Sequence, residues 1–300
     1  MAVPKRSQQY DQIAILVTEK GMVPPAPDHH AWGSHSLNES KAFGNSPTAP
    51  WCDLYHVQRV ACSQVDPLGY KHWAETQKGL VAYSLQNQAI YATPKKLAVF
   101  DMDSTLIQIE VIDELARSAG VLPEVAAITE RAMQGELDFA QSLHARLSLL
   151  RGVPEQVLYD LAAHLPVTPG AAELVKKLKV SGCRTVLVSG GFDIFAQQLQ
   201  KLIGLDEVIA NRLEILGGAL TGKILGPIID AKVKKETLLS QASKLGINHE
   251  AVIAVGDGAN DIPMLQSAGL GVAFDAKLKV RRAVSSVINK KDLILVSAFH

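Results

Sequence analysis

The chain has 300 residues, 47% of them hydrophobic, and thirty Lys and Arg balance thirty Asp and Glu. At about 100–200 residues per domain this length predicts two domains, with one or three also compatible, and the apolar content is that of a globular protein with a sizeable core. Zero net charge argues against a nucleic-acid wrap or an anionic membrane surface as the main partner, because both need a basic excess. No run approaches the roughly 18 apolar residues of a membrane-crossing helix, and residues 1–12 lack the apolar centre of a signal peptide. The three cysteines, Cys52, Cys62 and Cys183, cannot all pair and form no Cys-x-x-Cys, which predicts a reducing, cytoplasmic setting without structural zinc.

In chain order, the first ninety residues differ from the rest. All three tryptophans (Trp32, Trp51, Trp73) and, by residue 67, seven of the 14 prolines fall there. Residues 22–50 are rich in Pro, His, Ser, Asn and Gly and carry neither a helical nor a strand period, which predicts a loop-rich, partly disordered segment. Residues 13–17 and 80–85 have the apolar content of short strands. Residues 1–90 therefore read as a small N-terminal domain of uncertain fold with regulation as a candidate role, and residues 94–300 as the main domain.

Beyond residue 94 the pattern becomes regular. Leu97-Ala98-Val99-Phe100 is an apolar run that ends on Asp101. Thr185-Val186-Leu187-Val188 ends on Ser189-Gly190-Gly191, and Val252-Ile253-Ala254-Val255 on Gly256-Asp257-Gly258. Continuous apolar runs separated by helical patterns are the mark of buried parallel strands. Helices are predicted from Pro169 to about Val180, with Gly182 as the stop, and from about Lys232 to Leu245, with Gly246 as the stop. The fold class is therefore α/β with a doubly wound parallel sheet, in which ligands sit outside the carboxyl ends of the strands. All three polar triplets are expected at those ends. Residues 107–168 are too long for a simple crossover. Helical spacing near residues 110–119, 123–133 and 137–150 predicts an inserted helical cap over the crevice.

The strand ends carry the chemistry. Asp101 and Asp103 stand at i, i+2, which in extended chain puts both carboxylates on one side. One can attack phosphorus and form an aspartyl-phosphate while the other moves protons. A lone Asp-x-Asp is more often a surface turn. Asp257 is placed to ligate Mg2+, a hard cation that prefers oxygen, although Gly-Asp turns between strand and helix are common. The Ser189 hydroxyl and nearby amides can hold phosphate oxygens. A phosphate dianion among these carboxylates needs positive charge, since each unit pair at 4 Å costs about 4 kcal/mol at an effective dielectric near 20. Lys232, Lys234 and Lys235 all open the helix before the third strand, and spacing does not choose among them.

Taken in this order, Asp101-Met102-Asp103-Ser104-Thr105, Ser189, a lysine and Gly256-Asp257-Gly258-Ala259-Asn260-Asp261 resemble the four motifs of the haloacid-dehalogenase-like phosphatases. The segments Glu110-Val111-Ile112-Asp113-Glu114-Leu115-Ala116, Ala132-Met133-Gln134-Gly135-Glu136-Leu137-Asp138-Phe139, Ser189-Gly190-Gly191-Phe192 and Ala210-Asn211 are similar to those of the phosphoserine phosphatases within that family. The resemblance covers roughly residues 94–295. It implies the family's Rossmann-like core, Mg2+ as cofactor, and hydrolysis of O-phospho-L-serine to L-serine and phosphate, the last step of serine biosynthesis. Position by position, it implies Asp101 as nucleophile and metal ligand, Asp103 as acid–base with its backbone carbonyl on the metal, and Asp257 as the third ligand. Asp261 would support the metal shell. It selects Lys234 among the lysines, with Ser189, as phosphate donors. Glu110 would bind the substrate ammonium and Arg146 its carboxylate, through two parallel hydrogen bonds that a lysine cannot make. Met133 and Phe139 would close over the substrate, and Gly190 and Asn260 would add contacts. The competing readings are phosphoryl transfer to another acceptor such as homoserine, another small phosphomonoester, and a regulatory protein with a decayed site.

Overall fold

The computed structural model describes residues 11–22, 54–62 and 65–300. Trp32, Trp51, Cys52 and the segment expected to be loop-rich between residues 23 and 50 lie outside the described residues. Strand β1 (Gln12–Glu19) pairs antiparallel with β2 (Tyr55–Cys62) on one side and β3 (Leu80–Asn87) on the other. The first and third of these cover the predicted runs. The second was not predicted, because its burial alternates at the start and is then continuous, a mixture of the two strand periods. Helix α1 (Pro67–Thr76) joins β2 to β3. It starts where the Asp66 carboxylate accepts from the amides of Leu68 (3.2 Å) and Gly69 (2.8 Å), with proline at the first position. Its Tyr70 is fully buried and donates its hydroxyl to the carbonyls of Ser84 (3.0 Å) and Ile15 (3.2 Å), which ties the helix to two strands at once. A short α2 (Gln88–Ala92) leads into the main domain.

There β4 (Leu97–Phe100) is buried at every position. After it come the inserted helices α3 (Val111–Ala119), α4 (Leu122–Met133), α5 (Phe139–Leu149) and α6 (Glu155–Ala163). The first three match the expected cap helices, and α6 is an addition. The remainder alternates: α7 (Ala171–Val180), β5 (Arg184–Phe192), α8 (Asp193–Ile203), β6 (Glu207–Leu216), β7 (Ala219–Leu225), α9 (Ala231–Leu245), β8 (Val252–Gly256), α10 (Ile262–Leu265), β9 (Leu270–Phe274), α11 (Leu278–Ala283) and β10 (Ser286–Ile288). Gly246 closes α9 in the left-handed conformation (φ 64°), as expected of a residue without a Cβ.

The strands form one ten-stranded sheet in the order β2-β1-β3-β10-β9-β8-β4-β5-β6-β7. From β10 to β6 neighbours run parallel, and β7 turns back along β6. The register sets Phe100 beside both Leu187 and Val255, so the three motif-bearing strands lie side by side with their motifs at one edge of the sheet. Here β5 departs from expectation. It continues through Ser189-Gly190-Gly191 to Phe192, with a register shift against β6 between Val188 and Phe192, so the polar triplet lies in an irregular extension beyond the last β4 pair.

The N-terminal strands join this same sheet, because β3 pairs with β10 from Ser84↔Ser286 to Ala82↔Ile288. Without β3 the outer edge of β10 would present a row of unpaired backbone groups. The junction is polar as well as apolar: the hydroxyls of Ser84 and Ser286 meet at 2.7 Å, and Gln86 donates to the carbonyl of Phe299 at 2.8 Å. Across the sheet end, Tyr55 donates to Asp292 (2.7 Å) and Arg59 to the carbonyl of Ala298 (2.9 Å). The cap is joined to the core by a bridge between Ile107 and Val167 and rests on the β6–β7 hairpin, where the amides of Gly152 and Glu155 donate to Leu220 and Gly218 (2.8 and 2.9 Å). Among the described residues no helix is long and apolar enough to cross a membrane.

Candidate active site

The end of β4 delivers Asp101 into a turn whose backbone is unusual. Asp103 is extended (φ −64°, ψ 137°) and Ser104 is left-handed (φ 54°), a conformation uncommon outside glycine. The Asp101 carboxylate is held at one oxygen: Oδ1 accepts from the amide of Met102 (2.8 Å) and pairs with the Lys234 ammonium at 2.7 Å. The same ammonium donates to Asp261 Oδ1 at 2.7 Å. Asp261 gives its other oxygen to the amide of Gly258 (3.0 Å). Asp101, Lys234 and Asp261 are 5%, 1% and 0% exposed, so this charge chain is sealed from water. Of the three candidate lysines, Lys232 and Lys235 point outward on α9, and only Lys234, on its inner face, reaches the site.

Asp257, at the end of β8, accepts from the Thr105 hydroxyl at 3.2 Å. Its carboxylate lies with those of Asp101 and Asp261 in one cluster, the oxygens within 4.8 Å of one another. Asp103 accepts from the amide of Val111, the first residue of the cap, at 3.1 Å. The Ser189 hydroxyl accepts from the amide of Gly191 (2.8 Å), which curls the β5 extension toward the acids. Glycine is required at Gly191, where a Cβ would stand 2.7 Å from Asp103 Oδ2 and 2.6 Å from the tip of Met102. Asn211 fastens the same extension, donating to the carbonyl of Gly190 (2.8 Å) and accepting from the amide of Ile229 (2.9 Å).

From the cap side, the ring of Phe139 comes down on Gly190, where a Cβ would stand 2.9 Å from its Cζ. Glu110, at the start of α3, accepts from Ser104 at 2.8 Å on the open side of the crevice. Arg146, half-buried on α5, is steadied by the carbonyl of Ser142 (3.3 Å) and lies in the field of Asp113, Glu110 and Asp103. Asn260 follows Gly258 on the loop after β8, close enough that a Cβ on the glycine would stand 2.2 Å from its Oδ1. Met133 is the exception among the expected residues: it ends α4 with 66% of its surface exposed, outside the group gathered at the acids. Thr105 and Asn211 are contacts that spacing did not single out. Thr105 lies within the first motif and Asn211 in a segment already noted; both side chains can hydrogen-bond, but nothing in their spacing pointed to these partners.

Burial dominates the electrostatics. It pushes the carboxyls of Asp101 and Asp103 well above the usual range, helped by Asp261 for the first and Glu110 for the second. Asp257 is pushed up to about 7 by burial and by its neighbours Asp261 and Glu110. For Lys234, burial pulls the ammonium down, but Asp101 and Asp261 outweigh it and the net shift is upward. Four carboxylates thus share one buried ammonium. An all-oxygen donor set with excess negative charge fits a hard divalent cation such as Mg2+, and Asp101 and Asp257 are the residues with oxygens to give it.

A family model described as haloacid dehalogenase-like hydrolase matches residues 95–269. A phosphoserine phosphatase of Archaeoglobus fulgidus is 44% identical over 235 residues, 76% of this chain and 68% of that one. A phosphoserine phosphatase of Idiomarina loihiensis is 48% identical over 198 residues, 66% of this chain and 90% of that one. Among solved structures, a substrate-bound phosphoserine phosphatase complex is 44% identical with a TM-score of 0.64 and covers 68% of this chain and 98% of its own. A HAD family hydrolase from Salmonella enterica serovar Typhi is 31% identical with a TM-score of 0.80 and covers 96% of this chain and 98% of its own. With the motifs converging on one crevice and more than half its length matched, the chain belongs to the haloacid dehalogenase-like hydrolase family.

Proposed function

We propose that this chain is a Mg2+-dependent phosphoserine phosphatase that hydrolyses O-phospho-L-serine to L-serine and phosphate through an aspartyl-phosphate, completing serine biosynthesis. The observation that carries this is the pairing of Asp101 with Lys234 at 2.7 Å beneath a cap that presents both Glu110 and Arg146. A substrate with a phosphate at one end and an ammonium and a carboxylate at the other matches that arrangement of opposite charges. The named relatives support the same substrate. A reducing, cytoplasmic setting accords with Cys62 and Cys183, both buried free thiols.

The residues divide the work as follows. Lys234 and the Met102 amide fix the rotation of the Asp101 carboxylate, so that an oxygen attacks phosphorus without first having to be oriented. As the new bond to phosphorus forms, the bond to the seryl oxygen breaks. Asp103, whose carboxyl burial and Glu110 push well above the usual range, gives that oxygen its proton. A water then enters, loses a proton to Asp103 and attacks the same phosphorus, and the bond to Asp101 breaks to release phosphate. Ser189, Lys234 and nearby amides meet charge on the phosphoryl oxygens. Mg2+ held by Asp101 and Asp257, with the Asp103 carbonyl, would supply the further positive charge that the dianion needs among these carboxylates. Phe139 over Gly190 closes the crevice to bulk water while the substrate is in place.

Two measurements test this. Phosphate release from O-phospho-L-serine should require Mg2+, stop with EDTA, and keep the same yield when homoserine is added. A fall in free phosphate with phosphohomoserine appearing would make the enzyme a transferase. The Asp101→Asn protein should stay folded, lose turnover by more than about 10³-fold, as removal of an attacking group does, and trap no radioactive acyl-phosphate on rapid quench. Substantial activity in that variant would remove Asp101 from the role of nucleophile.

A further inference from the structure

Beside the acids lies a second cavity, of about 150 Å3, large enough for several water molecules at about 30 Å3 each. Its inner end is formed by the buried Thr168 and Phe274 with the half-buried Ser104 and Asp257, and its exposed rim includes Gln108, Asp275, Lys277 and Lys291. None of these residues belongs to helices α3–α6, so the cavity is walled by the core and the two strands of the cap's stem. Neither Ser189 nor Lys234 lines it, so it reaches Asp257 without passing the phosphate donors. Two further observations set it apart from an accidental gap. The Thr168 hydroxyl oxygen, on a residue only 3% exposed, has no hydrogen-bond partner. Ser104 (φ 54°) and Asp275 (φ 43°), which are the non-glycine residues of positive φ among the described residues, both line it. Strain of this kind persists where surrounding structure holds it, and it gathers at functional sites.

We propose that this cavity is the port through which the divalent cation and its waters exchange with solvent, independently of the cap. The inference rests on the reading of Asp101 and Asp257 as cation ligands. Oxygen atoms of Asp275, Gln108, Thr168 and Asp257 give a hydrated cation a succession of acceptors from rim to floor. Lys291, paired with Asp275 at 3.4 Å, and Lys277 set the charge at the mouth. The advantage is kinetic. Substrate enters from the cap side and the cation from the core side, so a closed cap does not strand the metal.

The test uses the full chain and Mn2+ alone as probe. Bound Mn2+ is released into excess metal-sensitive chelator dye and followed by stopped flow, with no substrate present. Gln108→Trp, which fills the mouth, should slow release by about tenfold or more, since a filled passage of this size leaves no room for a water-bearing ion. Phe139→Trp, which obstructs the cap crevice, should leave the release rate unchanged. Lys277→Gln, an exposed change that does not threaten folding, should speed Mn2+ capture several-fold at low salt and lose that advantage at high salt. Release slowed by Phe139→Trp and untouched by Gln108→Trp overturns the port and routes the metal through the cap. An unaltered capture rate in Lys277→Gln also counts against it. Failure of the underlying metal reading looks different: the wild type would bind no Mn2+ specifically, or Asp257→Asn would bind it as tightly as the wild type does.

Discussion

At the scale of single residues, the site is organised by Lys234. It is one ammonium between two buried carboxylates, and removing it leaves both uncompensated. Breaking a buried pair in this way costs about 3–5 kcal/mol. Lys234→Met should therefore lose about that much unfolding free energy, seen as a lower urea midpoint at unchanged m, and show no measurable turnover. An unshifted midpoint would mean that Asp101 and Asp261 take up protons instead and carry no charge without the lysine. A second buried lysine makes a different kind of contact. Lys95 donates to the carbonyls of Ile90 and Glu250 where the N-terminal strands join the core, and burial pulls its pKa down to about 8. The folded chain thus sheds this proton more readily than the unfolded chain, whose lysine keeps the ordinary value near 10.5. Below pH 8 the full penalty of a buried ammonium applies. It fades as pH rises toward 10.5, and stability from this group grows across that window. The neutral amine keeps two N–H donors for its two carbonyls, so nothing is lost in exchange. Urea midpoints at pH 7.5 and pH 10 should rise more in the wild type than in Lys95→Met. Equal slopes would show that Lys95 titrates normally.

At the scale of elements, the proposed function puts substrate choice in the cap. Helix α5 begins with a capping box, the Asp138 carboxylate accepting from the Gln141 amide at 2.8 Å and the Gln141 side chain returning the bond at 3.0 Å. That fixes the start of the helix and hence Phe139, directly after the cap, over Gly190. Arg146 lies two turns further along, on the same side. Arg146→Ala should cut kcat/KM for O-phospho-L-serine by about 10²-fold, in line with the loss of one partner of a buried charge pair. Hydrolysis of an aryl phosphate, which has no carboxylate to grip, should change little. If both substrates fall together, Arg146 serves the fold or the phosphate and not the choice of substrate. The link from Asp103 to the Val111 amide joins the proposed proton carrier to the first residue of the cap, so cap position and the aim of that carboxylate are expected to change together.

At the scale of the whole molecule, the N-terminal strands and the main domain share a sheet and a seam. The last residues, Leu293–Phe299, are buried throughout, and Arg59, Tyr55 and Gln86 hold that segment from the N-terminal side. A chain beginning at residue 94 would open the edge of β10 and bare part of this segment. It should melt several degrees lower than the full chain, as a loss of a few kcal/mol implies, and aggregate on heating. If its melting temperature and activity equal those of the full chain, the first ninety residues are an independent appendage that the main domain does not need.

How far the sequence was legible follows from the range of each interaction. The three apolar runs were readable because a strand buried on both faces has no polar alternative, and their order with Asp101, Ser189 and Asp257 at the ends was enough to point to one crevice. The cap helices were readable from their spacing, and the α/β class from the alternation. The choice of Lys234 over Lys232 and Lys235 was not readable from spacing. It depends on which face of α9 turns inward, and that is settled by packing against β4 and β5. Nor could residues 55–62 be read as a strand that pairs with β1, or β3 as the cover for β10, because those hydrogen bonds join backbone groups far apart in the chain and leave no periodic trace. Met133 matched its segment yet stands in solvent, since the end of a helix can be placed only by what it packs against. The amino-acid order by itself determined which groups are candidates for the chemistry. The tertiary structure decided which of them are buried together, and burial is what shifts their proton affinities and makes them a site.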